Sequence, residues 1–178
     1  AFTSVLSGIT FPLFATAKRD SIKIRKGVSL SISILTWIVT PIMLSIIVLA
    51  EPLIILVFGK QWVSSAPVVQ VLCFAGLLQP SVLIKTNALK AMGYANLVFR
   101  VDFIKSCIGI FLVVSGSFFG LIGIACSVVL VGFFNEIALS HYAKKHLNYG
   151  VKEQFLDCFS SLVLGSLMTV SLALIASL

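Results

Sequence analysis

The charges in this chain are spaced so far apart that few folds remain open to it. Between Lys26 and Glu51 lie 24 uncharged residues, and between Lys60 and Lys85 lie another 24. A further 21 uncharged residues follow Asp157. A helix rising about 1.5 Å per residue crosses a bilayer with about 20 apolar residues, so each run is long enough. Composition points the same way. Only 11% of residues are charged, against roughly 25% in soluble domains. The chain is 59% hydrophobic, with a mean hydropathy of +1.13. So few charges do not cover the surface of a soluble domain of this size. The class is an all-α integral membrane protein whose first partner is the lipid bilayer.

The net charge of +7 does not point to nucleic acid. The cations sit at the edges of apolar stretches, and no basic stripe is interleaved with aromatic residues as strand binding requires. Cationic loops flanking membrane spans explain the charge.

The charges delimit spans near 1–17 (partial), 28–50, 64–88, 97–116, 121–142 and 157–178. Pro41 and Pro80 fall inside two of them. Each removes a backbone donor and crowds the preceding turn, so each is a hinge candidate. Glu51–Pro52 ends or bends its span. Leu53–Phe58 is too short to cross and reads as an interfacial segment, followed by a turn at Gly59–Trp62. Gly93–Asn96 and Ser115–Gly120 mark further turns, and connections this short imply an antiparallel transmembrane helix bundle. The first residues, Ala1–Leu6, read as the inside of an apolar segment, so the chain is expected to be a fragment that starts mid-helix.

Assigning the connections to alternate sides places Lys18, Arg19, Lys23, Arg25, Lys26, Lys85, Lys90, Arg100, Lys105, Lys144, Lys145 and Lys152 together. Lys60, the thirteenth cation, stands alone on the other side. The bias predicts that loops 18–27, 89–96 and 143–156 are cytoplasmic. The basic run Lys18–Lys26 then sets the orientation and meets anionic lipid.

No catalytic constellation appears. His141 and His146 are five apart and do not share a helix face as zinc ligands would. Cys73, Cys107, Cys126 and Cys158 lie in apolar stretches without a C-x-x-C pair and read as small buried hydrophobes. No metal or cofactor is expected. A hairpin turning near Phe118–Phe119 puts Asp102 and Glu136 at similar depth, with Lys105 about one turn deeper than Asp102. Arg100, Asp102, Lys105 and Glu136 sum to zero charge. Two readings stand: an ion-paired cluster stapling two helices, or a site where Arg100 or Lys105 faces a cavity and binds an anionic head group. Lys85 poses the same choice, between snorkelling to the interface and contacting a head group. Gln70, Gln79, Asn87 and Asn135 read as interhelical glue or cavity lining.

Phe11–Pro12–Leu13–Phe14, the basic loop and the Pro-containing span come first. Ala50–Glu51–Pro52–Leu53–Ile54, Phe58–Gly59–Lys60–Gln61–Trp62, Ala66–Leu72 and Ala88–Leu89–Lys90–Ala91–Met92–Gly93 follow. This order resembles the bacterial polysaccharide transporters, the Wzx-type flippases for lipid-linked oligosaccharides in the MATE-like superfamily. The resemblance covers nearly the whole chain and is strongest from Glu51 to Gly93. It implies two six-helix lobes around a cavity that opens alternately to each side. The chain looks like most of the C-terminal lobe, with the N-terminal lobe as its missing partner. It implies flipping of an undecaprenyl-diphosphate-linked oligosaccharide across the cytoplasmic (inner) membrane, without bond chemistry. The family's cationic cavity has no fixed motif, so no site residue is carried over. A drug or cation exporter, a membrane enzyme and a non-transporting scaffold are the alternatives. An exporter would favour a buried carboxylate open to a cavity. An enzyme would need an extended loop or acidic catalytic motif, and none is visible.

Overall fold

The computed structural model describes residues 21–154 together with residues 156, 159 and 163. The expected spans at 1–17 and 157–178, and with them Lys18, Arg19 and Cys158, lie outside the described residues, residues 159 and 163 excepted. The described part is an all-α bundle: α1 (Ser21–Val48), α2 (Ala50–Phe58), a 3-10 segment (Lys60–Ser65), α3 (Ala66–Ala91), α4 (Ala95–Ser117) and α5 (Gly120–Leu147). Residues 151–154 begin a further helical stretch.

Among the described residues, three stretches are long and apolar enough to cross a membrane: Ile24–Val48, Lys60–Ala91 and Gly120–Leu147. The fourth long helix, α4, covers the expected span 97–116. It is not among the three, because Arg100, Asp102 and Lys105 crowd its N-terminal half. The connections are shorter than the expected loops. Ile22–Lys26 is already helical in α1, and α5 runs to Leu147. Charge stops a helix from entering lipid but does not stop it from being a helix, so the charged flanks extend the spans.

α1 and α3 run antiparallel, as do α3 and α4 and α4 and α5, so α3 and α5 run parallel. α3 packs between α1 and α5, and α5 packs between α3 and α4. Buried residues recur at helical spacing on each contact face. On α1 they are Ile24, Val28 and Ile32, then Thr36 and Thr40, four apart throughout. Ile84, Ala88 and Leu89 of α3, Val98 and Val101 of α4, and Leu139, Ala143 and Leu147 of α5 complete one core with Ile24, Val28 and Ile32. That core occupies the end of the bundle where α1 and α4 begin and α3 and α5 finish. At the other end a smaller core joins Ala50, Ile54 and Ala66. There Gln70 donates a 3.0 Å hydrogen bond to the Ile47 carbonyl, tying α3 to the end of α1. Between the two ends large apolar side chains such as Leu30, Ile38, Phe103, Phe111 and Ile137 stay exposed, as lipid-facing residues do.

The α4–α5 hairpin turns through Phe118 and Phe119 into Gly120, whose φ of +74° suits glycine. Just inside the turn the backbones approach so closely that a Cβ on Gly123 would strike the Gly116 carbonyl. Ser127 seals the crossing by donating to the carbonyls of Leu112 (2.7 Å) and Gly123 (2.9 Å). Small residues at such crossings are how helices approach each other in lipid, where no hydrophobic force drives them together.

Candidate functional site

Two residues one turn apart on α3, Ser81 and Lys85, face two residues one turn apart on α5, Glu136 and Ser140. The parallel register of the helices brings them together. The Lys85 ammonium donates to Glu136 Oε1 at 2.6 Å and to Ser140 Oγ at 2.5 Å. It also donates to the side-chain carbonyl of Gln154, in the helical stretch after α5. Ser81 Oγ lies 2.8 Å from Glu136 Oε1 and 2.9 Å from Oε2, so its hydroxyl is shared by both oxygens. Ser140 Oγ donates to Oε1 at 3.2 Å. Lys85 is fully buried, and Glu136 is 7% exposed.

A buried charge survives only when paired and hydrogen-bonded, and this network meets both needs. It is a neutral polar layer beside the larger core, toward the end of the bundle where α3 and α5 finish. On its α1 side a cavity of about 390 Å³ opens, lined by Thr36, Thr40, Ser81, Glu136 and Gln154 together with Phe74 and Phe133. Lys85 does not line this cavity and sits behind the carboxylate.

These positions correct two expectations. Lys85 does not snorkel. Its ammonium is turned into the bundle and held there by Glu136, Ser140 and Gln154. Glu136 does not join Arg100, Asp102 and Lys105. The hairpin contacts, Leu112 with Ser127 and Gly109 with Val131, do set Glu136 level with Asp102. Depth was therefore right, but rotation of α5 about its axis turns Glu136 toward α3 rather than α4. Lys105 pairs instead within α4, with Asp102 Oδ1 at 3.0 Å. Arg100 is exposed and lines a separate recess of about 450 Å³ with Tyr94, Leu97 and Tyr142. The Tyr94 ring stacks on His146 nearby, with centroids 4.1 Å apart. Pro41 and Pro80 both lie inside continuous helices.

Ser81, Ser140, Gln154, Thr36 and Thr40 were not singled out from the sequence. A signal existed: Ser81 and Lys85, and Glu136 and Ser140, are each spaced i, i+4, which places them on one helix face. Glu153 starts the helical stretch after α5 by accepting the Gly150 N–H at 3.0 Å. Backbone hydrogen bonds, its own and that of Gly150, hold its carboxyl below the usual range, with Arg25 and Lys144 adding to the effect. Among the described residues no cluster of His, Cys, Asp and Glu could hold a metal ion.

Residues 1–67 match the family described as polysaccharide biosynthesis protein. The chain is 30% identical, over 78% of its own length and 28% of the other's, to the lipopolysaccharide biosynthesis protein WzxC of Escherichia coli. Over the residues matched, the chain is similar to polysaccharide biosynthesis proteins. A second relative, the teichuronic acid biosynthesis protein TuaB of Bacillus subtilis, is 24% identical over 97% of the chain and 35% of its own length. A third, the succinoglycan biosynthesis transport protein ExoT of Rhizobium meliloti, is 32% identical over 43% of the chain and 16% of its own. The chain thus spans about a third or less of the length of the relatives it matches. No solved structure matches it.

Proposed function

We propose that this chain is part of a flippase that moves a lipid-linked oligosaccharide, of the undecaprenyl-diphosphate type, from the cytoplasmic to the outer leaflet of a bacterial inner membrane. The observation that carries the reading is the match to WzxC, over 78% of the chain, on a membrane bundle with a polar layer between its helices. Relatives named for lipopolysaccharide, teichuronic acid and succinoglycan biosynthesis support the substrate class. No bond chemistry is involved. The sugar head needs a polar path while the lipid tail stays in the bilayer, and states that bind the head differently drive the switch. The remaining lobe is supplied by the rest of the protein, so the fragment alone moves nothing.

In this reading Arg100 is the head-group contact, because it is exposed, cationic and set in an open recess. Lys85 is not, because its charge is already taken up. The same pairing argues against a drug or cation exporter, which needs a carboxylate free to bind a cation. Pro41 and Pro80 are the flexing points. The test is deletion of the full-length gene. Surface polysaccharide should disappear and the lipid-linked precursor accumulate on the cytoplasmic face. Arg100→Ala should restore the protein to the membrane but not the polysaccharide. Normal surface polysaccharide in the deletion strain would sink the flippase reading.

A further inference from the structure

Lys85, Lys105 and Arg100 meet different environments. Lys85 is buried against Glu136, and Lys105 pairs with Asp102 at 3.0 Å. Among the described residues no ion pair or hydrogen bond engages the Arg100 side chain, which is exposed. It shares its recess of about 450 Å³ with Gly93, Tyr94, Asn96, Leu97 and Tyr142, where the α3–α4 turn, the start of α4 and the end of α5 meet. The walls are set by local structure. Gly93 makes the turn at a φ of +93°, and the Tyr94 ring is held against α5 by its stack on His146. The carboxylates at this end of the bundle are taken up elsewhere, Asp102 by Lys105 and Glu153 by the Gly150 N–H. Lys90, Lys144 and Lys145 are exposed at the same end and add to its positive field.

These groups select an anion rich in oxygen. A guanidinium carries only donors, in a planar fork that fits a phosphate bidentately. The phenols of Tyr94 and Tyr142 and the amide of Asn96 bring further donors to the recess. A cation is repelled, and a neutral hydroxyl leaves the guanidinium charge unmatched. The space holds roughly fifteen waters at about 30 Å³ each, so a phosphate enters with the groups joined to it. The charge bias puts this end at the cytoplasmic water boundary, and tyrosines belong to the headgroup level of a bilayer. A phosphate carried by a lipid is confined to that level, and a free phosphate is not. We propose that the recess binds the phosphate of a membrane lipid, held by Arg100 with Tyr94, Asn96 and Tyr142 as further donors. An anionic phospholipid of the bilayer and the diphosphate-linked carrier both present that group, and the second source rests on the flippase reading. The recess reads the phosphate and not the sugar.

The test uses purified full-length protein in a neutral detergent, with Arg100→Gln and Tyr142→Phe as variants. The probes are phosphatidylglycerol, undecaprenyl diphosphate without sugar, and diacylglycerol as a control that lacks phosphate. Affinity is read from the rise in melting temperature as each is titrated in. At least one phosphate lipid should stabilise the native protein, and diacylglycerol should not. Arg100→Gln should weaken that binding about tenfold, the loss of a hydrogen bond to a charged group, and Tyr142→Phe about threefold. Arg100 is exposed, so without lipid its variant should melt as the native protein does. Should it fail to fold, Tyr142→Phe decides, because it removes one hydroxyl and keeps the ring. Binding of phosphatidylglycerol names the bilayer as the source, and tighter binding of undecaprenyl diphosphate names the carrier. Equal affinity of native and variant proteins for both phosphate lipids, or an equal response to diacylglycerol, overturns the proposal. If the deletion strain keeps its surface polysaccharide, the flippase reading has failed, which is a separate result, and the phosphatidylglycerol titration still decides the recess.

Discussion

At the residue scale, the Lys85–Glu136 pair is the most consequential contact described. Removing one member of a buried pair leaves the other charged in a medium that cannot solvate it, at a cost of about 3–5 kcal/mol. Replacing both with apolar residues of similar size removes that cost. Ser81 and Ser140 then lose a partner, but a serine in a helix can turn its hydroxyl back to the carbonyl four residues earlier. Glu136→Ala should therefore lower unfolding stability by about 3–5 kcal/mol, and Lys85→Met with Glu136→Leu should recover most of it. Denaturant unfolding of the full-length protein in detergent measures both. A single variant within about 1 kcal/mol of native would show that the pair is solvated after all.

At the element scale, the parallel register of α3 and α5 decides which polar groups meet. The sequence shows where each charge lies along a helix, because length and charge spacing translate directly into depth. Asp102 and Glu136 were placed level on that basis, and they are level. Sequence spacing does not show how far a helix is rotated about its axis once two neighbours compete for its faces. α5 has buried residues toward both α3 and α4, so either partner for Glu136 was compatible with its pattern. The structure chooses α3, where Lys85 offers a full charge and Ser81 a hydroxyl. The prolines belong to this scale too. Pro41→Ala and Pro80→Ala each restore a backbone donor and stiffen a helix. If α1 and α3 flex during transport, both variants should fold at least as well as the native protein and export several-fold less. Native rates of export in both would remove the prolines from the mechanism.

At the scale of the whole molecule, the described cations divide between the two ends of the bundle. Arg25, Lys26, Lys90, Arg100, Lys144 and Lys145 gather with the larger core, and Lys60 sits beyond α2 at the opposite end. The alternation of connections, legible from charge alone, anticipated this division. The extent of the connections was not legible, because a helix continues into water without a sequence signal to end it. The charge bias predicts the orientation in the membrane. In a full-length protein otherwise free of cysteine, K60C should react with a membrane-impermeant maleimide on intact cells. K144C should react only after permeabilisation. The opposite pattern would invert the assignment.

The partners in the polar layer are made at different times. Lys85 and Glu136 are 51 residues apart in the chain. At the roughly 5–20 residues per second of protein synthesis, Lys85 waits about 3–10 s for its carboxylate to be made. During that interval α3 carries an unneutralised ammonium into the translocation machinery, and the cheapest place for it is the water boundary. On this argument α3 is expected to reach its final depth only when α5 arrives, which would make the order of synthesis part of the last step of assembly.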